Sequence, residues 1–281
     1  EQGFAPINHC GGSGILRTLV RRFYKAVIQR AAQDDNVTSL CKDGKKKAAF
    51  TLAEVLITLG IIGIVAAMTL PTLITDYQKK ATVNQLKVVY SILSQAIVRA
   101  QTDYGDMSEW DFGQNMDFST EEGQDAIKES LKNFAHKYFF PYIKVIADCG
   151  TNNKTHCSYP VSFTWDQEIE QSSVNDYRFI VNNTMLVRLQ YDNVEGIFGN
   201  GIFMWVDING PQKPNRYGRD LFCFYLDRSK EALYPYGRGQ TRENMLNGFR
   251  GCNKPGSWHA GQWCAGLIEY DGWEIKDDYP W

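Results

Sequence analysis

The longest unbroken run of apolar positions extends from Phe50 to Leu70, FTLAEVLITLGIIGIVAAMTL, 21 residues with a single charge at Glu54. At 1.5 Å per residue this predicts a helix of about 30 Å, the hydrocarbon thickness of a bilayer. Further on, the pattern turns from uniform to periodic. Leu86, Val89, Tyr90, Leu93, Ala96, Ile97 and Ala100 recur at spacings of three and four, with Lys87, Ser91, Gln95 and Arg99 on other faces. That spacing predicts an amphipathic continuation of the same helix to about Tyr104, stopped by Gly105. The whole helix would run some 55 residues, roughly 80 Å. Pro71 removes one helical hydrogen bond, and Gly60 and Gly63 weaken the turns above it, so a kink or local melting near Pro71 is expected.

A polar link rich in Gly, Asp and Ser (residues 105–123) separates this helix from a second one. Ile127, Leu131, Phe134 and Tyr138 mark its apolar face, and Pro141 bounds it. Strands are predicted at Pro160–Trp165, Tyr177–Val181, Met185–Tyr191, Ile202–Ile208 and Leu221–Leu226, with turn signals at Asn182-Asn183 and Gly199-Asn200-Gly201. The fold class is α+β, an antiparallel sheet beside a long helix. Trp258, Trp263, Tyr270, Trp273, Tyr279 and Trp281 read as the last turns packing on that sheet, with surface adhesion as the alternative.

Composition adds a direction. With 281 residues, 43% hydrophobic and 22% charged, the chain has ample material for a core, which excludes disorder. Its net charge of -2 argues against a general nucleic-acid binder. Residues 1–49 carry nine Lys or Arg against four Asp or Glu, while residues 50–281 carry 21 against 28. Lys45, Lys46 and Lys47 directly precede the apolar run, so the positive-inside rule leaves the N-terminal part in the cytoplasm and sends the C-terminal domain across the membrane. Eleven Leu, Ile, Val or Phe residues, each favouring insertion by roughly 0.3–0.6 kcal/mol, outweigh one acid near the end of the span. A plain signal anchor or cleavable secretory signal would share the Lys-Lys-Lys, apolar run and Ala-Ala-Met pattern. Glu54 suits neither, because a carboxylate in lipid is costly unless a cation reaches it, and the helix supplies none.

Lys47-Ala48-Ala49-Phe50-Thr51-Leu52-Ala53-Glu54-Val55 resembles the type IV prepilin processing and methylation site, a basic leader and a small residue before Phe-Thr-Leu-x-Glu. The family is that of the type IV pilins and type II secretion pseudopilins. Ala49 stands where the family usually has Gly. The resemblance is strong over residues 45 to about 104 and general beyond. It implies a ladle-shaped subunit, with a transmembrane and stalk helix over 50–104 and a globular head over 105–281. It implies cleavage between Ala49 and Phe50 by a membrane aspartyl peptidase, N-methylation of Phe50, and an assembly role for Glu54. The partners implied are other pilin subunits in a helical filament, the prepilin peptidase and an inner-membrane assembly platform. The chain would wait as a single-pass inner-membrane protein with its head in the periplasm, then enter a pilus at the cell surface. Residues 1–49, longer than the usual leader, read as a leader or a misassigned upstream segment; within them, residues 15–32 have the pattern of a basic amphipathic helix.

Cysteine usage fits export. Cys10 and Cys41 fall in the leader, and the pairs Cys149 with Cys157 and Cys252 with Cys264 would each close a short loop. Cys223, inside Phe-Cys-Phe, reads as a buried free thiol. Zinc at Cys149, His156 and Cys157 lacks a second ligand pair. The loop from Asp207 to Asp220 offers Asp207, Asn209 and Asp220 as calcium ligands, but Lys213, Arg216 and Arg219 stand among them, and a turn fixed by Asx hydrogen bonds is the better reading. No cofactor is otherwise implied. Three His in the exported part (His136, His156, His259) and no hydrolase or phosphate-loop motif argue against an enzyme. Asp166, Glu168 and Glu170 read as a solvated face. A minor pilin acting as adhesin or DNA-uptake module is the alternative function, with Arg216, Arg219, Arg228, Arg238, Arg242 and Arg250 as its conceivable basic cluster.

Overall fold

A computed structural model describes residues 51–113, 120–151, 157, 161–162, 168–169, 176–181, 185–194, 197–253 and 259–281. The chain divides into two compact units, Glu1–Asp76 and Tyr77–Trp281. Helix α1 (Leu52–Tyr104) runs through the division, so its second half, from Tyr77, belongs with the head.

In the first unit the described residues are helical from Leu52 onward and almost all exposed. Leu52, Leu56, Leu59, Ile62 and Leu73 are exposed, with no cover among the described residues. This helix is long and apolar enough to cross a membrane. It passes unbroken through Pro71, so the melting expected there is absent. One missing N–H leaves only the Ala67 carbonyl without its helical partner, and the intact turns on either side hold the rest in register.

The second unit is built around a sheet and two helices. The second half of α1 ends at Tyr104, and Gly105, at φ 77°, donates its N–H to the Gln101 carbonyl. Only an achiral residue adopts that left-handed closing turn without strain. A short 3₁₀ turn (Met107–Glu109) leads to Trp110, whose Nε1 donates to the Gly105 carbonyl at 3.1 Å. Helix α2 (Glu121–Tyr138) starts at Thr120, whose hydroxyl accepts the Gly123 N–H at 3.1 Å. Its buried face is Ile127, Leu131, Phe134 and Tyr138.

Among the described residues the strands that follow are β1 (Val145–Gly150), β2 (Val161–Ser162), β3 (Glu168–Ile169), β4 (Tyr177–Val181), β5 (Met185–Val194), β6 (Ile197–Asp207), β7 (Leu221–Asp227) and β8 (Ala232–Pro235). Six form one antiparallel sheet in the order β1-β4-β5-β6-β7-β8, and β2 pairs with β3. Side chains alternate across a strand, and the register sorts them cleanly. Phe179, Val187, Leu189, Met204, Val206, Phe222 and Phe224 line one face and join Leu86, Leu93, Ile97 and Phe134 in a single core. Arg178, Arg188, Trp205 and Cys223 lie on the opposite face. Helices α3 (Arg242–Asn247) and α4 (Cys264–Tyr270) complete the unit.

Four of the five predicted strands coincide with β4 to β7 apart from their ends. The fifth, Pro160–Trp165, is described only at Val161–Ser162, and Asn182-Asn183 lies outside the described residues. Gly199-Asn200-Gly201 is not a turn; it lies inside β6, which pairs with β5 from Ile197 opposite Val194 onward. A Cβ at Gly201 would stand 2.4 Å from the Leu226 carbonyl oxygen. The glycine there answers to a close strand contact.

Candidate assembly segment and head sites

At the start of α1 the chain makes a reciprocal cap. Glu54 Oε2 accepts the Thr51 N–H at 2.9 Å and the Thr51 hydroxyl at 3.0 Å, while Thr51 Oγ1 accepts the Glu54 N–H at 3.2 Å. This is a Thr-x-x-Glu capping box, which satisfies two of the N–H groups that a helix start leaves open. Ala49 and Phe50 lie outside the described residues. Among the described residues no cation lies within ion-pair distance of Glu54. Farther along, the hydroxyls of Thr58, Thr69 and Thr75 donate to the carbonyls of Val55, Val65 and Pro71 at 2.9, 3.0 and 2.9 Å. The span's polar side chains are thus satisfied by its own backbone, as a lipid environment demands.

The loop after β6 carries the three oxygen-bearing residues considered for calcium. Asp220 accepts the backbone N–H groups of Asn215 and Arg216 at 2.8 and 2.5 Å, and the Asn209 side chain also donates to it. Burial nevertheless raises its carboxyl above the usual range. Asp207 accepts the Asn209 N–H at 3.2 Å. A carboxylate whose oxygens face N–H donors does not suit a cation that takes six to eight oxygens, so the residues present do not fit calcium and form a hydrogen-bonded turn. Among the described residues no group of His, Cys, Asp or Glu has the arrangement of a metal site.

The sulfurs of Cys149 and Cys157 are joined, as are those of Cys252 and Cys264. Cys223 is free and buried, and burial raises its thiol far above its ordinary value, keeping it protonated. The arginines that could have made a basic stripe are engaged within the head. Arg228 Nε donates to the Ser108 carbonyl at 2.8 Å, Arg238 pairs with Glu269, and Arg250 reaches the Tyr236 hydroxyl. Arg242 bridges Asp271 and Asp278 at 2.7 Å each, while Arg219 lies 4.6 Å over the Trp281 ring. The aromatic C-terminus packs as expected at Trp263, Trp273, Tyr279 and Trp281, whereas Tyr270 is exposed and Trp258 lies outside the described residues.

Sequence reading missed a polar knot between α2, β1 and β4. His136 Nε2 lies 2.8 Å from Asp148 Oδ2 and 3.0 Å from the Tyr177 hydroxyl, which itself donates to Asp148. Burial pushes the Asp148 carboxyl up, but hydrogen bonds from Tyr177, His136 and the Gly150 N–H outweigh it and hold it below the usual carboxylate range. No spacing signal links residues 136, 148 and 177, which the β1-β4 pairing and the packing of α2 against β4 bring together.

Two family profiles match this chain. One, described as a prokaryotic N-terminal methylation motif, covers residues 44–70. The other, described as a family of unknown function (DUF6613), covers residues 72–281, most of the chain. The chain belongs to this DUF6613 family, and its N-terminus is that of a type IV pilin-like protein. No curated protein and no solved structure matches it at a significant level. In this family member the methylation motif and the head domain meet inside α1, between Leu70 and Thr72. The motif implies prepilin-peptidase processing and polymerisation in general, and membrane anchoring by its apolar helix. Pilin-like structural proteins are generally non-enzymatic.

Proposed function

We propose that this protein is a structural subunit of a type IV pilus or a type II secretion pseudopilus, polymerised through the first half of α1. The observation that carries the reading is the single acid of the apolar span, held at its first turn by Thr51. Cleavage between Ala49 and Phe50 creates an α-amino cation four residues before Glu54. In a staggered helical array the amine of one protomer approaches the carboxylate of its neighbour, and each offsets the other's burial cost. An unpaired buried charge is far less favourable than a paired one, so the pair sets register. Pro71 contributes a weak point in the helix that lets the span adjust to its neighbours. The head faces the periplasm before assembly, as the cluster Lys45, Lys46 and Lys47 on the other side of the span supports.

Two measurements test this. Mass analysis of protein from cells is expected to find an N-methylated Phe50 as the first residue; an uncut chain, or a cut downstream of Ala66, would overturn the reading. Glu54→Gln is expected to leave the protein in the membrane and to abolish fibres. Normal fibres from that variant would remove Glu54 from assembly. A second reading, a minor subunit acting as adhesin at the fibre tip, is favoured by the exposed aromatics Phe249 and Tyr270, 60% and 61% accessible.

A further inference from the structure

Charge along the head's half of α1 and the segment after it falls into two blocks. Residues 77–102 carry four Lys or Arg and no Asp or Glu. Residues 103–127 carry eight Asp or Glu and no Lys or Arg. Lys80 and Lys87, about two turns apart on one face of the helix, are exposed. At the other end of that half Asp103, Asp106, Glu109 and Asp111 are exposed as well. Asp103 accepts the Tyr142 hydroxyl at 2.6 Å, and Asp111 accepts the Gly113 N–H at 2.9 Å. Asp106 makes no capping hydrogen bond to the 3₁₀ turn it precedes. Arg228 reaches this segment but donates to the Ser108 carbonyl. Among the described residues none of these lysines or acids has an ion-pair partner.

Folding of a single copy does not favour this arrangement. A helix prefers cations in its last turn, yet α1 has none there and ends on Asp103, with Asp106 and Glu109 close behind. Lys80 and Lys87 have no acid on their own helix to pair with, because that half of α1 contains none. Their distance from Asp103 along the helix is about 35 and 24 Å, too far for contact within the chain. A second copy displaced by that distance sets its acids beside these lysines. The two patches differ, so the contact is head-to-tail and can repeat without closing, which builds a filament rather than a dimer.

We infer that these patches form an interface between copies of this chain, in which Lys80 and Lys87 of one copy dock on Asp106 and Glu109 of another. The inference rests on the fibre reading and adds to it a contact that orders the heads. Exposed pairs of this kind contribute little affinity but select the partner and its register.

The test counts fibres by electron microscopy on cells making the full chain. Lys80→Glu with Lys87→Glu, and separately Asp106→Lys with Glu109→Lys, are each expected to lower the count about tenfold or more. Both variants should still be cut before Phe50. Lys87 lies 5.9 Å over the Trp273 ring, so the head Tm of each variant is measured beside the count. If that Tm falls, Lys80→Glu and Asp106→Lys alone give the same test. Cells making both variants together are expected to regain fibres, because each supplies the charge the other lacks. Normal fibres from either variant alone, or no recovery on co-expression, overturns the inference. So does a loss confined to the lysine variant, since the lysines would then serve another anion, such as a lipid headgroup. These outcomes leave the fibre reading standing, whereas a native chain that stays uncut and forms no fibre removes both.

Discussion

Leu56 and Leu86 are the same residue on the same helix, yet Leu56 is 56% exposed and Leu86 fully buried. The second half of α1 is covered by the sheet, so its leucines are core. Among the described residues nothing covers the first half, so its leucines are left for lipid or other subunits to cover. The span and the head treat acids just as differently. Glu54, in the first turn of the span, is held by one threonine, whereas Asp176 in the head is enclosed and bound to Arg178 by two hydrogen bonds. An apolar residue therefore reports a need for burial, and an acid a need for a partner. Neither says whether the fold or an assembly meets that need.

The acids give the sharpest test. Asp176→Asn leaves Arg178 and Arg188 without their shared carboxylate and is expected to destabilise the head by about 3–5 kcal/mol in thermal or urea unfolding. Glu54→Gln is expected to leave the same transition unmoved. Equal effects would erase the distinction between the two regions. The leucines give the next. Leu93→Ala is expected to cost about 2–5 kcal/mol of head stability through the cavity it leaves, and Leu56→Ala nothing measurable in that transition.

Replacing Cys252 and Cys264 together by Ser opens a short loop, and the expected loss is about 2–3 kcal/mol, read from the same unfolding curves. A pH series then separates the head's charge network from the span. Burial pushes Asp227 up, but hydrogen bonds from Ser229, Tyr234 and Lys230 outweigh it and bring its pKa down to about 2, from an ordinary 3.8. A depressed carboxylate contributes stability fully present above its unfolded pKa and lost as pH falls through the folded one. The loss should fall between about pH 4 and pH 2, amounting to about 1 kcal/mol because the Lys230 partner is exposed to solvent. Asp227→Asn should flatten that window. Smallest of all, Thr51→Ala removes the cap that holds Glu54 and should cost about 0.5–1 kcal/mol of local helix stability. It would be seen as faster amide exchange over residues 52–55, with the head unchanged.

Much of this was legible along the chain because it rests on local periodicity. The apolar run, the amphipathic stripe from Leu86 to Ala100, α2 and four central strands follow from spacings of one, three or four, and two residues. What escaped notice lacked such a signal. Strand β1 is half exposed and its alternation is broken by two register shifts. Strand β8 ends in Pro235, which reads as a strand breaker although it sits on an edge. Helix α4 carries Gly266, a poor helix former, and a Cβ there would stand 2.6 Å from the Tyr236 carbonyl oxygen. Of the assembly segment, the acid in oil was plain from the sequence, but its partnership with Thr51 needed the geometry of the first turn.

By itself the sequence determined that one segment is long and apolar enough for a membrane, that its acid needs a partner, and that an α+β head follows. These are properties of composition and spacing, which act through solvation and local backbone preference. Only the tertiary structure decided which half of α1 is core, that the head's arginines are mostly spent on internal carboxylates and carbonyls, and that Arg178 and Arg188 share the buried Asp176. Those outcomes depend on strands far apart in the chain being set in one register, and no local pattern encodes where a side chain lands once distant backbones pair.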